Sequence, residues 1–196
     1  MRVLRWTALL ATVLLFACGK PPAFNSTDLT GTEIGSTGLA QTLTDHTGKP
    51  RKLSDFQGKV VVIFFGYTQC PDVCPTVLTK MREVMSLLGT DGEKVQVVFM
   101  TIDPERDTQA LLSQYVPAFH PSFLGVFGDA NATAAVAKDF KIFYQKSPGT
   151  TPGSYTMDHS SGSYVIDAKG KLRLYLKHED TAPLIAQDLK RLLDGN

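Results

Sequence analysis

The sequence predicts an α/β domain with a mixed central β-sheet that is flanked by helices. Two long apolar runs, residues 60–65 and 95–102, are rich in β-branched and aromatic residues, which is typical of strands covered on both faces. Apolar residues at helical spacing follow the first run over residues 73–88. A hairpin pattern over 163–176 and a helical pattern over 182–193 come last. Strands that alternate with helices before an antiparallel hairpin indicate a mixed sheet between helices.

Weaker signals complete the order of elements. Residues 43–59 predict a short N-terminal hairpin addition followed by a turn, because turn residues separate brief apolar stretches. Asp107 or Thr108 can cap a helix that runs to about residue 119. The remaining predictions are a strand over 123–127, a helix over 133–140 and a loop over 155–162.

Charge and length narrow the class of protein. The 196 residues carry a formal net charge of +1 without a long basic run, so the sequence predicts no nucleic-acid partner. Residues 39–196 have a length that suits one domain with its own core.

The N-terminus has the features of an export signal. Arg2 and Arg5 precede an apolar run over residues 6–16, which is too short to span a bilayer comfortably. Small residues surround Cys18, and this pattern resembles the lipobox of bacterial lipoproteins. We therefore predict a signal peptide over 1–17, then a lipidated Cys18 and a flexible tether over 18–38. Cleavage by an ordinary signal peptidase and an uncleaved anchor are the alternatives. The expected location is the cell envelope, anchored to a membrane and facing the periplasm.

Two of the three cysteines, Cys70 and Cys74, follow the first long strand. Four residues of helix rise about 6 Å, so both thiols should share one helical face, close enough to chelate one ion or form a disulfide. The N-terminus of a helix favours thiolate over thiol. In an oxidising compartment such a pair becomes a disulfide unless a reductant or a metal holds it. A purely structural role is disfavoured, because so short a loop constrains the unfolded chain little.

A third ligand would have to come from elsewhere in the chain. His46, His120 and His178 lie in turn or strand-end contexts and are predicted to be surface or turn residues. His159 is the candidate, since its segment adjoins the final hairpin. Two thiolates and an imidazole suit copper, and zinc accepts the same donors, so both metals remain open. Packing explains Met157 better than thioether ligation does.

Three blocks of sequence carry a family resemblance: residues 66–75, 101–108 and 158–160. In this order they resemble the Sco/SenC family of copper-binding proteins that assemble cytochrome c oxidase, over about residues 39–193. The resemblance implies a thioredoxin-like fold that binds one copper ion, Cu(I) or Cu(II), through Cys70, Cys74 and His159. The loop with His159 would then swing toward the thiolates. The 101–108 block, with Asp103 and Asp107, would act as a scaffold, although turn formation and helix capping also explain these aspartates.

The resemblance also implies a function. The leading hypothesis is a membrane-tethered copper metallochaperone that serves the dinuclear copper site in subunit II of cytochrome c oxidase. A periplasmic copper donor and a thioredoxin-like reductant are further expected partners. The main rival hypothesis is a thiol–disulfide reductase that uses Cys70 and Cys74 as its redox-active pair. The protein would be an enzyme, a thiol–disulfide oxidoreductase, only under this second hypothesis. The same residues are compatible with a copper or redox sensor, whereas a peroxidase is less favoured.

Overall fold

The computed structural model describes residues 23–34 and 43–195. These residues form ten strands and four α-helices. The strands are β1 (Thr27–Asp28), β2 (Leu43–Asp45), β3 (Pro50–Arg51), β4 (Val60–Gly66), β5 (Val95–Thr101), β6 (Leu124–Phe127), β7 (Tyr144–Pro148), β8 (Tyr155–His159), β9 (Ser163–Ile166) and β10 (Leu172–Leu176). The helices are α1 (Val73–Leu88), α2 (Gln109–Tyr115), α3 (Ala130–Asp139) and α4 (Ala182–Leu193).

Eight strands form one mixed sheet in the order β1-β10-β9-β4-β5-β6-β2-β3. β4, β5 and β6 run parallel, while β9 pairs with β4 in the antiparallel direction. Every residue of β4 and β5 is buried, as the two unbroken apolar runs predict. The predicted α/β class with a mixed central sheet is therefore confirmed.

Helices cover both faces of the sheet because successive strand residues point to opposite sides. Phe64 packs on Phe99, whose ring lies 5.8 Å from that of Tyr115 at the end of α2. The adjacent Phe65 points the other way, and its ring lies 5.4 Å from that of Phe140 at the end of α3. The core thus fills two layers, one on each side of β4 and β5.

Helix α1 begins and ends where the sequence predicts. Its buried residues recur at helical spacing and form one stripe along the helix, which packs against α4. The helix ends at Gly89, whose φ of 56° is strained for a residue with a side chain. A helix with this geometry holds Cys74 in its first turn, next to the end of β4.

Three predictions of local structure differ from what is observed. Helix α2 is capped by Thr108, one of the two predicted caps, but it ends at Tyr115, four residues before the predicted end. The α3 helix starts at Ala130, because the Asp129 side chain accepts a hydrogen bond from Ala132 N and so caps it earlier than predicted. The segment predicted as a loop over 155–162 contains strand β8, which pairs with β7 as a separate two-stranded sheet. Both strands are largely polar and exposed, so their sequences carry little apolar alternation.

Residues 23–34 also differ from the flexible tether that the sequence predicts there. Strand β1 pairs with β10, and the carboxylate of Asp188 in α4 accepts three hydrogen bonds from the same segment. The donors are Asn25 N at 3.0 Å, Asn25 Nδ2 at 2.9 Å and Ser26 N at 2.8 Å. The expected signal peptide and Cys18 lie outside the described residues. Within 23–34 and 43–195, no helix has the length and apolar character needed to span a membrane.

We predict that Asp188→Ala releases the N-terminal segment from α4. Asp188 is fully buried, and its loss leaves three donors without their acceptor, which should cost about 1–3 kcal/mol in the free energy of unfolding. Chymotryptic cleavage after Phe24 should become faster while the domain stays intact. Glu179→Gln, which changes an exposed carboxylate just before the same helix, is the control. Equal cleavage rates in Asp188→Ala and the wild type would contradict this role of Asp188.

Candidate metal centre

The two cysteines of the centre lie where β4 passes into α1. The strand ends at Gly66, a short turn follows, and Cys74 lies in the first turn of the helix. Cys74 N donates a hydrogen bond to Cys70 Sγ at 3.4 Å, so the two side chains share one side of the helix start. Cys74 is fully buried and Cys70 partly exposed, and both are free thiols. Only Cys70 is therefore open to solvent.

His159, the last residue of β8, completes the cluster. Its Nε2 atom lies 3.8 Å from Cys74 Sγ, and the three donor atoms of Cys70, Cys74 and His159 lie within 4.8 Å of one another. In the described part of the chain, no other group of three histidine, cysteine or acidic residues has this metal-like spacing. The implied swing of a loop is not needed to bring His159 to the thiols, since the side chain is already beside them.

A hydrogen bond fixes which nitrogen of His159 is available. Nδ1 lies 2.8 Å from the carbonyl oxygen of Ser160. A carbonyl oxygen only accepts, so Nδ1 carries a proton, and in the neutral form of the ring Nε2, which faces the thiols, is the nitrogen free to bind a metal. Metal-binding histidines are typically oriented by a hydrogen bond of this kind on the second nitrogen. The tautomer therefore suits metal ligation.

Aromatic side chains enclose the imidazole. The ring of His159 meets the rings of Phe64 and Tyr67 edge-on, at centroid distances of 6.2 and 5.9 Å. Beneath them, a Cβ atom on Gly66 would come within 2.8 Å of Cys74 Sγ and 2.9 Å of the Phe64 and Phe99 rings. Glycine is thus required at this position because Cys74 lies directly against the backbone of β4.

The two thiols differ in acidity. A hydrogen bond from the Cys74 thiol, helped by the backbone N–H groups of Cys74 and Asp72, lowers the pKa of Cys70 well below that of an ordinary thiol. The same hydrogen bond, together with burial, raises the pKa of Cys74. The reduced pair therefore holds one thiolate, on Cys70, and one proton, on Cys74.

The buried carboxylate of Asp107 supports the cysteine turn and does not cap α2. Asp107 accepts hydrogen bonds from Thr68 N at 3.0 Å, Thr68 Oγ1 at 2.6 Å and Thr101 Oγ1 at 2.6 Å. Burial raises the pKa of the Asp107 carboxyl, and these donors partly offset that effect. Asp107 thus ties the turn after β4 to the end of β5, which agrees with the scaffold role that the family resemblance implies, and the fold identifies the partners.

The other histidines make contacts of their own, and Met157 belongs to the core. His46 Nδ1 accepts a hydrogen bond from Gly125 N at 3.0 Å, and His120 Nδ1 contacts Ser122 Oγ at 2.8 Å. His178 lies between β10 and α4, where its carbonyl oxygen accepts from Lys80 Nζ. Met157 is 6% exposed and packs in the core, as predicted.

Comparison with known proteins was decisive for the family. A family model described as SCO1/SenC matches residues 31–194. The chain belongs to the SCO1/SenC family. A SCO2-like protein of Rickettsia felis is 40% identical over 157 residues, which cover 79% of this chain and 74% of that protein.

Solved structures of the family agree with this assignment. The structure of Bradyrhizobium japonicum ScoI with copper bound matches with a TM-score of 0.72 at 40% identity, covering 78% of this chain and 96% of that one. A SCO1/SenC family lipoprotein from Bacillus anthracis matches with a TM-score of 0.68 at 26% identity, covering 78% and 92%. The expected thioredoxin-like fold is confirmed, and the relatives include a lipoprotein.

We predict that Gly66→Ala destabilises the reduced protein by about 1–3 kcal/mol, because the added methyl group overpacks a site with no room for it. Gly92→Ala is the matched control, since a Cβ atom there meets its nearest neighbours only at 3.4 Å. Thermal unfolding of both variants measures the difference. A Gly66→Ala protein as stable as the Gly92→Ala protein would refute the close packing of Cys74 on β4.

We predict that Cys70 reacts with iodoacetamide at a rate that changes less than about twofold between pH 8 and pH 6, whereas an ordinary thiol slows more than about tenfold. The lowered pKa keeps Cys70 ionised as the pH falls through this window. Cys74→Ala removes the thiol donor, so the decrease in rate should move to higher pH. Mass spectrometry of the alkylated residue gives the rates. A wild-type rate that falls like that of a free thiol would contradict the assigned thiolate.

Proposed function

We propose that the protein binds one copper ion per monomer through Cys70, Cys74 and His159. The observation that carries the proposal is the convergence of two sulfur atoms and the Nε2 atom of His159 within 4.8 Å of one another, with Nδ1 of the same ring bonded to Ser160 O. Soft thiolate donors favour copper, and the single imidazole allows both Cu(I) and Cu(II). The relative from Bradyrhizobium japonicum with copper bound supports the same choice of metal.

The environment of the three donors suits a site that transfers its metal ion to an acceptor protein. Cys74 and the rings of Phe64 and Tyr67 shield one side of the cluster, while Cys70 remains partly open to solvent. An incoming thiolate from an acceptor can approach on the Cys70 side and replace the protein ligands one at a time. The metal then never has to leave as a free ion, which would be slow for a tightly bound copper.

We propose that the cargo is delivered to the dinuclear copper site in subunit II of cytochrome c oxidase. A periplasmic copper donor would load the protein, and a thioredoxin-like reductant would keep its thiols reduced. Lipidation of Cys18 would hold the domain at the membrane, where confinement raises its effective concentration near the oxidase. The lipoprotein among the relatives supports this location.

A second function is favoured by the unequal acidity of the thiols. The Cys70 thiolate can attack a disulfide of the acceptor, forming a mixed disulfide and releasing one acceptor thiolate. Cys74 loses its proton and attacks Cys70 Sγ, which closes the Cys70–Cys74 disulfide and frees the second acceptor thiolate. Two electrons pass to the acceptor, whose cysteines become able to bind copper. This reductase reaction uses the same pair and does not need His159.

We predict that His159→Ala weakens Cu(I) binding by about a hundredfold or more, because one of three donors is lost. Disulfide exchange should stay within about tenfold of the wild-type rate, since the hydrogen bonds from Cys74 that lower the pKa of Cys70 remain. Competition with a Cu(I) chelator and a thiol-exchange assay measure the two properties. His120→Ala is the control, because His120 contacts Ser122 in its own loop.

Cellular oxidase activity at limiting copper distinguishes the two functions. If His159→Ala cells lose oxidase activity and added copper restores it, the result would support the metallochaperone. Normal activity in His159→Ala, with loss in Cys70→Ser, would favour the reductase. A wild-type protein that keeps stoichiometric zinc against excess copper would refute the proposed metal.

A further inference from the structure

The strand that ends at His159 belongs to a hairpin outside the main sheet. Among the residues that the structure describes, β7 pairs with β8 alone, from Tyr144 opposite His159 to Pro148 opposite Tyr155. An isolated two-stranded hairpin is at best marginally stable in water. The position of His159 relative to the cysteines therefore depends on the side chains that join this hairpin to the rest of the domain.

Arg106 contacts both the hairpin and the cysteine turn. Its Nη1 atom donates to the carbonyl oxygen of Tyr155 at 2.8 Å and to Oε1 of Gln69, the residue before Cys70, at 3.1 Å. Its guanidinium lies 3.6 Å from the centroid of the Tyr155 ring and 5.6 Å from that of Tyr67, whose ring in turn meets His159. One side chain thus spans the two segments that supply the proposed ligands.

Asp103 holds Arg106 in this orientation. Arg106 Nε donates to Asp103 Oδ2 at 2.5 Å, and the second carboxylate oxygen accepts a hydrogen bond from the Tyr155 hydroxyl at 2.8 Å. Asp103 is almost completely buried, so this pair is little screened by water. Asp103, Arg106 and Tyr155 form a closed set of contacts, which we call the bracket.

We propose that Arg106 is a positioning residue: through the bracket it fixes the hairpin so that His159 Nε2 faces the two sulfur atoms. This inference rests on the proposed copper site. The planar guanidinium donates in two directions while stacking on Tyr155, and a lysine ammonium cannot reproduce that combination. Among the described residues, the Nη2 donor of Arg106 is buried without a hydrogen-bond partner, so the contacts of Nε and Nη1 are the ones that orient the guanidinium.

An ion pair between the hairpin and the segment that carries Arg106 provides the control. Lys146 of β7 pairs with Glu105 at 2.6 Å and lies 4.6 Å from the centroid of the Tyr155 ring. Both charged side chains are largely exposed, and exposed pairs contribute little. Lys146→Gln therefore removes a cation next to Tyr155 without changing the bracket.

The test compares Arg106→Gln, Arg106→Lys, Tyr155→Phe and Lys146→Gln in the purified, reduced protein. In the metal-free state, amide hydrogen exchange over 155–159 should accelerate in Arg106→Gln, while exchange in β4 and β5 stays at the wild-type rate. Cu(I) affinity should fall by about 10–100-fold in Arg106→Gln, as is typical when the support of a metal ligand is removed. Arg106→Lys should not restore it, Tyr155→Phe should show a smaller loss, and Lys146→Gln should match the wild type.

A double-mutant cycle shows whether Arg106 acts through His159. In a His159→Ala background, Arg106→Gln should change Cu(I) affinity by less than about threefold, because the ligand that it positions is gone. An equal loss in both backgrounds would overturn the proposal, as would unchanged affinity or unchanged hairpin exchange in Arg106→Gln. If Arg106→Gln fails to fold, the same double-mutant cycle with Tyr155→Phe tests whether the bracket acts through His159. If His159→Ala itself binds Cu(I) like the wild type, the proposed ligand set fails, whereas the exchange data still test the bracket.

Discussion

Parallel pairing of β4 with β5 brings the parts of the centre together. The two strands are in register from Val60 opposite Val95 to Gly66 opposite Thr101, and all their residues are buried. Parallel strands end at the same edge of a sheet, so the segments that follow them lie side by side. The cysteine turn after β4 and the aspartate-containing segment after β5 are therefore neighbours. The hydrogen bonds from Thr68 and Thr101 to Asp107 join these segments directly.

The three donors are held with unequal rigidity. Cys74 is fixed by α1 and by its contact with β4, where no side chain fits on Gly66. Cys70 lies in the turn that Asp107 supports, and it keeps a partly exposed sulfur. His159 belongs to a two-stranded hairpin that side chains attach to the domain. The proposed transfer of copper would benefit from such an arrangement, because one ligand could leave without disturbing the core.

Copper binding and disulfide exchange require the same state of the cysteine pair. Both begin with a Cys70 thiolate, which the Cys74 thiol and the backbone N–H groups at the start of α1 stabilise. A Cys70–Cys74 disulfide can neither bind copper nor act as a nucleophile, so reduction precedes either function. What distinguishes them is His159, whose hydrogen bond to Ser160 O leaves Nε2 free for a metal.

The sequence by itself determined the α/β class, the bounds of α1 and the cysteine turn, because apolar periodicity and the spacing of Cys70 and Cys74 are local properties. It also indicated His159 as the candidate third ligand, and the family resemblance was needed to assign it that role. Only the tertiary structure decided that 155–159 form a strand, since polar, exposed hairpins leave little periodic signal.

The tertiary structure also decided the partners of Asp107, Asp103 and Arg106. These partners are Thr68, Tyr155 and Gln69, respectively, and each lies at least 37 residues away in the chain. Contacts at that separation depend on which strands pair in the sheet, and no local pattern records them.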